Sequence, residues 1–122
     1  HYLIKTAVIE QKLSIYEPMV RRSFMHIDDL TNLIDEILNQ PSAAIGQKIN
    51  AFDERLNLTK IELVAVLAEH IDFQIEIIEG RDPDGRNYMI KSTYLEKIGF
   101  ECTTSLETSI VELRNYYGSY RN

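Results

Sequence analysis

Two arginines stand where arginine is not the default choice. Arg22 opens the largely apolar run Arg22-Ser23-Phe24-Met25-His26-Ile27, and Arg86 lies in the turn-like run Asp84-Gly85-Arg86-Asn87-Tyr88. A guanidinium is a planar fork of donors, so it grips a phosphate at two points where an ammonium offers one charge. A strand that begins with one arginine and a turn that presents another could form the jaws of a pyrophosphate clamp, with Tyr88 beside the second. The plain alternative for each is a surface ion pair with one of the 19 acidic residues, and such pairs contribute little. Arg81, in the same charged loop, is closer to that plain reading.

The other chemistry-bearing groups read as structural. His26 with Asp28 and Asp29 has no further Cys or His partner nearby, and Asp28 or Asp29 is wanted as a helix cap, so a metal site is disfavoured. His26 reads as a hydrogen-bonded histidine near a domain boundary, and Asn50 as a strand asparagine that satisfies backbone groups. Cys102 has no neighbouring base and reads as a half-buried thiol. Tyr116, Tyr117 and Tyr120 crowd the last helix and tail, with too few basic residues between them for a base-stacking platform.

The elements that must carry these residues follow from periodicity. Leu3, Ile4, Ala7 and Val8 place a helix over residues 2–11. Leu13 and Ile15 mark a short strand, broken at Glu17-Pro18, and residues 22–27 a second. Leu30, Leu33, Ile34, Ile37 and Leu38 form the stripe of the next helix. Residues 41–46 read as loop and 48–52 as strand. Thr59 and Glu62 form a capping box for a helix over 60–71, with Leu58 able to staple onto Leu63. Phe73, Ile75 and Ile77 alternate with polar residues as a half-buried strand. Residues 79–87 are a charged loop. A short helix around Tyr94, Leu95 and Ile98 stops at Gly99. Thr104 and Glu107 suggest a second capping box, opening a helix through Leu106, Ile110, Leu113 and Tyr117, with a polar tail after Gly118. The fold class is mixed α/β (α+β): four to five helices with short strands.

At 122 residues, with 44% hydrophobic and 26% charged content, the chain supports one globular domain of modest core. A net charge of −6 argues against nucleic acid as partner, because a phosphate backbone needs a basic footprint. No apolar run approaches the ~20 residues that span a bilayer, so no membrane partner is expected. One cysteine excludes an internal disulfide and fits a reducing, cytoplasmic compartment. His1 falls inside an apparent helix, and the expectation is a piece of a larger protein.

The runs resemble a known family in order and spacing. Arg22-Ser23-Phe24-Met25-His26-Ile27-Asp28-Asp29-Leu30, then Gly46-Gln47-Lys48-Ile49-Asn50-Ala51, then Asp84 to Ser92 with Gly99-Phe100 behind it, are similar to segments of the extended short-chain dehydrogenases/reductases. The group in question is the NAD-dependent epimerases/dehydratases of nucleotide sugars, and the resemblance covers nearly the whole chain. It implies that residues 1–122 are the C-terminal substrate-binding subdomain, with the Rossmann domain absent. It implies that Arg22 and Arg86, with Tyr88, contact the substrate's diphosphate, and that residues 17–21 form the substrate-side loop. The strand at 48–52 would lie against the dinucleotide-binding domain.

Two family signatures have no counterpart. The five glycines form no Gly-x-x-Gly-x-x-Gly turn, and none of the seven tyrosines has a lysine four residues on. No catalytic residue is therefore expected here, and NAD is expected to bind mainly outside this chain. Ser23 stands where the family usually has an acid, and Glu17, Pro18 and Met19 where it often has glycines. The rival reading is a stand-alone, non-catalytic binding or interaction module of the same fold. A subdomain cut from its neighbour should also expose apolar surface and self-associate, through Leu3, Ala7, Ile49 or Ala51.

Overall fold

The structure, a computed structural model, describes residues 1–81, 85–91 and 93–120. Residues 82–84, 92 and 121–122 lie outside the described residues, so the run 84–92 and the polar tail are followed only in part.

Thr59 shows how directly local chemistry sets an element. Its hydroxyl accepts the Glu62 amide at 3.2 Å, and the Glu62 carboxylate accepts the Thr59 amide at 2.7 Å. The reciprocal cap starts helix α4, Lys60–His70, by satisfying two backbone N–H groups that a helix start leaves orphaned. The same hydrogen bonds, with a smaller pull from Arg21, hold the Glu62 carboxyl below its usual range. α4 turns Leu63 and Leu67 toward Ile4, Ala7 and Val8 of α1 (Tyr2–Glu10) and Ile110 of α6 (Leu106–Gly118). Each such side chain contributes about 1.5–3 kcal/mol when fully buried, so this three-helix contact is the main core.

Strand β1, Lys12–Ile15, pairs in parallel with β4, Gln74–Ile77, with Leu13 opposite Ile75 and Ile15 opposite Ile77. Leu13 and Ile15 are buried against Val64, whereas Ile75 and Ile77 stay 45% and 61% exposed. The half-buried alternation expected of β4 is therefore corrected: every one of its residues is exposed. A two-stranded sheet ends at β4, and the helices that cover β1 stop short of it.

The second sheet is β2, Arg21–Ser23, antiparallel to β3, Asn57–Thr59, with Arg22 opposite Leu58. Beyond it α2, Ile27–Asn39, sends Leu33 into a second core with Phe52 and with Leu95 of α5, Thr93–Ile98. Gly99, at φ 68°, ends α5 as expected, because the left-handed conformation there favours glycine.

Several expectations need correction. Residues 48–52 form no strand. A strand needs a ladder partner, and the two sheets are filled by other segments. Asn50 accordingly lies exposed on irregular chain, not in a strand. The second strand is shorter, ending at Ser23. Residues 41–44 are a short helix, α3, with Pro41 at its first turn, where proline lacks only an N–H that would be orphaned anyway. Six α-helices stand among the described residues, not four to five. The cap of α2 is His26, not Asp28 or Asp29: its ring accepts the Asp28 amide at 3.2 Å. The cap of α6 is Ser105, one residue past Thr104, accepting the Thr108 amide at 3.1 Å. Ala7 is fully buried and Ile49 half-buried, so neither lies on an exposed patch. Exposed apolar residues lie instead at several other places, among them Tyr2, Met19, Ile77 of β4, Ile27, Ile34 and Leu38 of α2, and Ile45.

Candidate functional site

β2 begins with two arginines, and the alternation of side chains along a strand sends them to opposite faces of the sheet. Arg21 turns to α4: its guanidinium lies 3.4 Å from the Glu62 carboxylate and bonds the Asn57 carbonyl. Arg22 turns to the segment 85–91. Its Nη1 donates to the carbonyls of Arg21, at 2.9 Å, and of Arg86. Tyr88 lies against both guanidinium groups. The Arg22 guanidinium carbon is 5.7 Å from the Tyr88 ring centroid and that of Arg86 is 5.8 Å. At these distances the electron-rich ring face attracts both, by about 0.5–1 kcal/mol each at an exposed site. Three side chains from positions 22, 86 and 88 are thus brought to one place by tertiary structure.

A cation also flanks the platform at the start of α4. The Lys60 amide bonds the Val20 carbonyl at 3.1 Å, and its ammonium donates to the Tyr16 carbonyl at 3.0 Å while lying 4.2 Å from the Tyr16 ring centroid. In a chain of net charge −6, Arg22 and Arg86 bring two positive charges together at Tyr88, while Arg21 faces away and is paired with Glu62. Such a surface favours an anion through charge-assisted hydrogen bonds. It is open on this chain: Arg86 is exposed and Arg22 and Tyr88 are half-buried.

The loop carrying Arg86 and Tyr88 has no regular secondary structure over 85–91 and is held by side chains. Asn57, 6% exposed, does most of this. Its amide nitrogen donates to the Ile90 carbonyl at 3.1 Å and the Glu54 carbonyl at 3.2 Å. Its oxygen accepts the Ile90 amide at 3.1 Å and the Ser23 hydroxyl. Asn87 accepts the Arg21 amide at 2.9 Å. Sequence reasoning missed Asn57 and Asn87. The signal for Asn57 was a polar side chain between Leu56 and Leu58 just before a capping threonine, since a buried amide must find partners.

The remaining candidates sit elsewhere. His26 reaches from its capping position to Glu112 of α6, with Nε2 3.3 Å from the carboxylate. Asp29 is buried and accepts the Thr103 and Thr104 amides at 2.9 and 3.1 Å, which pins α2 to the segment before α6. Asn50 joins none of these groups. Among the described residues no cluster of three His, Cys, Asp or Glu side chains could hold a metal ion.

Cys102 lines a cleft of about 490 Å³ with Phe52, Arg55, Leu95 and Phe100, away from Arg22 and Arg86. Burial pushes its thiol up to about 11, helped by the charges of Asp53 and Asp29 and opposed by Arg55. It is a neutral thiol at physiological pH and a poor nucleophile. The junction of β3 with α4 carries the Thr59 capping box and no glycine turn. The start of α4 therefore does not fit the pyrophosphate of a dinucleotide. No helix among the described residues is long and apolar enough to cross a membrane.

No protein-family model matches the chain. Solved structures do resemble it. RMD from Pseudomonas aeruginosa, complexed with NADPH, matches over 97% of this chain with TM-score 0.70 at 15% identity. Pal from Bacillus thuringiensis matches over 96%, with TM-score 0.75 at 16% identity. A monomeric L-threonine 3-dehydrogenase from a metagenome matches over 99%, with TM-score 0.74 at 14% identity. The chain spans only 43%, 38% and 41% of these proteins. At such identities the likeness is one of fold: this small α+β unit has the fold of about two-fifths of larger proteins, one of them holding NADPH and another a dehydrogenase by name.

Proposed function

We propose that the chain is the substrate-binding part of an NAD(P)-dependent enzyme of the epimerase/dehydratase kind acting on a nucleotide sugar. Arg22 and Arg86 hold the diphosphate, with Tyr88 packed against both. Hydride transfer and proton abstraction fall to the dinucleotide-binding part of the parent. This part contributes remote binding energy that positions the sugar. In this reading the rest of the parent covers the apolar residues exposed on α2 and at Ile45, and the protein works in the cytoplasm, in keeping with its single cysteine.

The observation that carries the proposal is the convergence on one tyrosine ring of Arg22 and Arg86, which lie 64 positions apart in the chain. The fold does not choose the substrate, since one similar structure is a threonine dehydrogenase by name. The paired forks favour a diphosphate in this reading, because it offers two adjacent anionic centres that they would match.

Calorimetric titration of the chain with UDP, GDP, ADP, dTDP and inorganic pyrophosphate tests it, with NAD and NADPH as contrasts. At least one diphosphate should bind and neither dinucleotide should. Arg22→Ala and Arg86→Ala should each weaken binding about tenfold to a hundredfold, the equivalent of one charge-assisted hydrogen bond of about 1.5–3 kcal/mol. Lysine at either position should restore part, keeping charge without the fork. Unchanged affinity in both alanine variants, or no diphosphate bound by the wild type, would overturn the clamp.

A further inference from the structure

We propose that Asn57 is a latch that holds the segment 85–91 closed on β2, and thereby sets where Arg86 and Tyr88 stand relative to Arg22. The functional half of this proposal rests on the clamp reading above; the latch itself does not.

The segment that carries Arg86 and Tyr88 belongs to neither sheet. Its backbone would ordinarily be held by a neighbouring strand. Here one carboxamide takes that place: Asn57 gives Ile90 a donor and an acceptor at once, each at 3.1 Å. A peptide group in a strand presents the same pair. The Ser23 hydroxyl supports the arrangement, lying 3.3 Å from the Ile90 amide and bonded to the Asn57 oxygen. Nearer the site, Asn87 accepts the Arg21 amide and the Arg86 carbonyl accepts from Arg22. The anchor is buried, while Arg86 and Asn87 are exposed. The bonds to Ile90 are therefore made on the dry side of the segment, and those of Asn87 and the Arg86 carbonyl on its wet side, beside the groups for a ligand.

Asn57 does not face the ligand surface and is a positioning residue. Its effect on binding is one of population: a jaw that spends only part of its time closed binds with affinity reduced by that fraction. A leucine or alanine at 57 removes both bonds to Ile90, and an aspartate keeps the acceptor but sets a carboxylate against two carbonyls. Both changes release the segment without touching either arginine.

Amide hydrogen exchange on the whole chain decides the matter without any ligand. In Asn57→Ala the Ile90 amide should exchange about ten- to a hundredfold faster, with the Leu67 amide of α4 unchanged, since local opening is decoupled from the core. Ser23→Ala, which removes one of two acceptors at Ile90, should show a smaller rise and serves where Asn57→Ala fails to fold. Affinity for inorganic pyrophosphate and for UDP and GDP should fall about tenfold in Asn57→Ala. Arg86→Ala should lose affinity while keeping Ile90 protected. Wild-type protection of Ile90 in both the Asn57 and Ser23 variants would overturn the latch. Loss of protection with unchanged affinity, where Arg86→Ala does weaken binding, would overturn the positioning role and leave the clamp intact. If the wild type binds none of the probes, the clamp and the positioning role both fall, and exchange at Ile90 still decides the latch.

Discussion

Removing the Asp29 carboxylate should lower the urea midpoint of the chain by about 0.7–4 M, using the usual slope of ~1–3 kcal/mol per M. The carboxylate is 1% exposed and accepts the Thr103 amide at 2.9 Å, the Thr103 hydroxyl at 3.2 Å and the Thr104 amide at 3.1 Å. Asp29→Ala leaves two backbone N–H groups without an acceptor, at about 1–3 kcal/mol each when water cannot replace it. Thr103 is exposed and Thr104 half-buried, so water recovers part, and a loss of about 2–4 kcal/mol is expected from a total of about 5–15. Asp28→Ala is the control. That neighbour is exposed in the first turn of α2 and gives up its interaction with the helix dipole, about 0.3–1 kcal/mol, and a 3.7 Å contact with the His26 ring that at the surface adds little.

The pH dependence has a definite sign. Burial pushes the Asp29 carboxyl up, but the hydrogen bonds from Thr103 and Thr104 together outweigh it and hold the group below its ordinary 3.8. A depressed folded-state value means the folded protein binds fewer protons than the unfolded chain, so the stabilisation is complete above 3.8 and lost as pH falls beneath it. The gap between wild type and Asp29→Asn should stay constant from about pH 7 to 5 and close below about 3.8. Urea titrations by circular dichroism at several pH values measure it. Equal losses in Asp29→Ala and Asp28→Ala, or a gap that widens on acidification, would refute the argument.

Two further expectations follow from single residues. Gln11 closes α1 at φ 51°, where glycine is at ease and other residues are strained. Gln11→Gly should therefore gain about 0.5–1 kcal/mol, seen as a Tm rise of a few degrees, and a fall in Tm would contradict it. Alkylation of Cys102 by iodoacetamide in the folded protein should reach half its maximal rate near pH 11; half-maximal rate near the free-thiol value of ~8.5 would show the thiol is not held neutral.

What was legible in the sequence was mostly local. Thr59 and Glu62 sit three apart and cap α4 with no help from elsewhere, and Leu33 and Ile37 lie one turn apart on the stripe that meets Phe52. What was not legible depends on distant partners. Residues 48–52 have strand-like composition, yet a strand exists only where another offers its ladder. Asn57 finds Ile90 33 positions away, so its burial carried no short-range signature beyond polarity among leucines. Thr104 and Ser105 can each cap a helix, and the box spacing to Glu107 favoured the wrong one. The His26 cap escaped because aspartates stood beside it, and Asp29 turned out to serve the segment before α6. Arginine chemistry suggested Arg22 and Arg86 as a pair and the family resemblance gave them a ligand; periodicity would not have joined residues so far apart, and the structure sets both beside Tyr88.

The main core joins the first helix of the chain to the last. Ile4, Ala7 and Val8 of α1 close against Ile110 of α6, and the His1 ring reaches the Tyr117 hydroxyl at 3.3 Å. On the ribosome these partners emerge in sequence, separated by roughly 100 residues, and at synthesis rates of ~5–20 residues per second α1 waits about 5–20 s for its cover. During that interval its apolar face is available to chaperones or to neighbouring nascent chains. Codon choice between α1 and α6 would then tune how much of the protein is delivered folded.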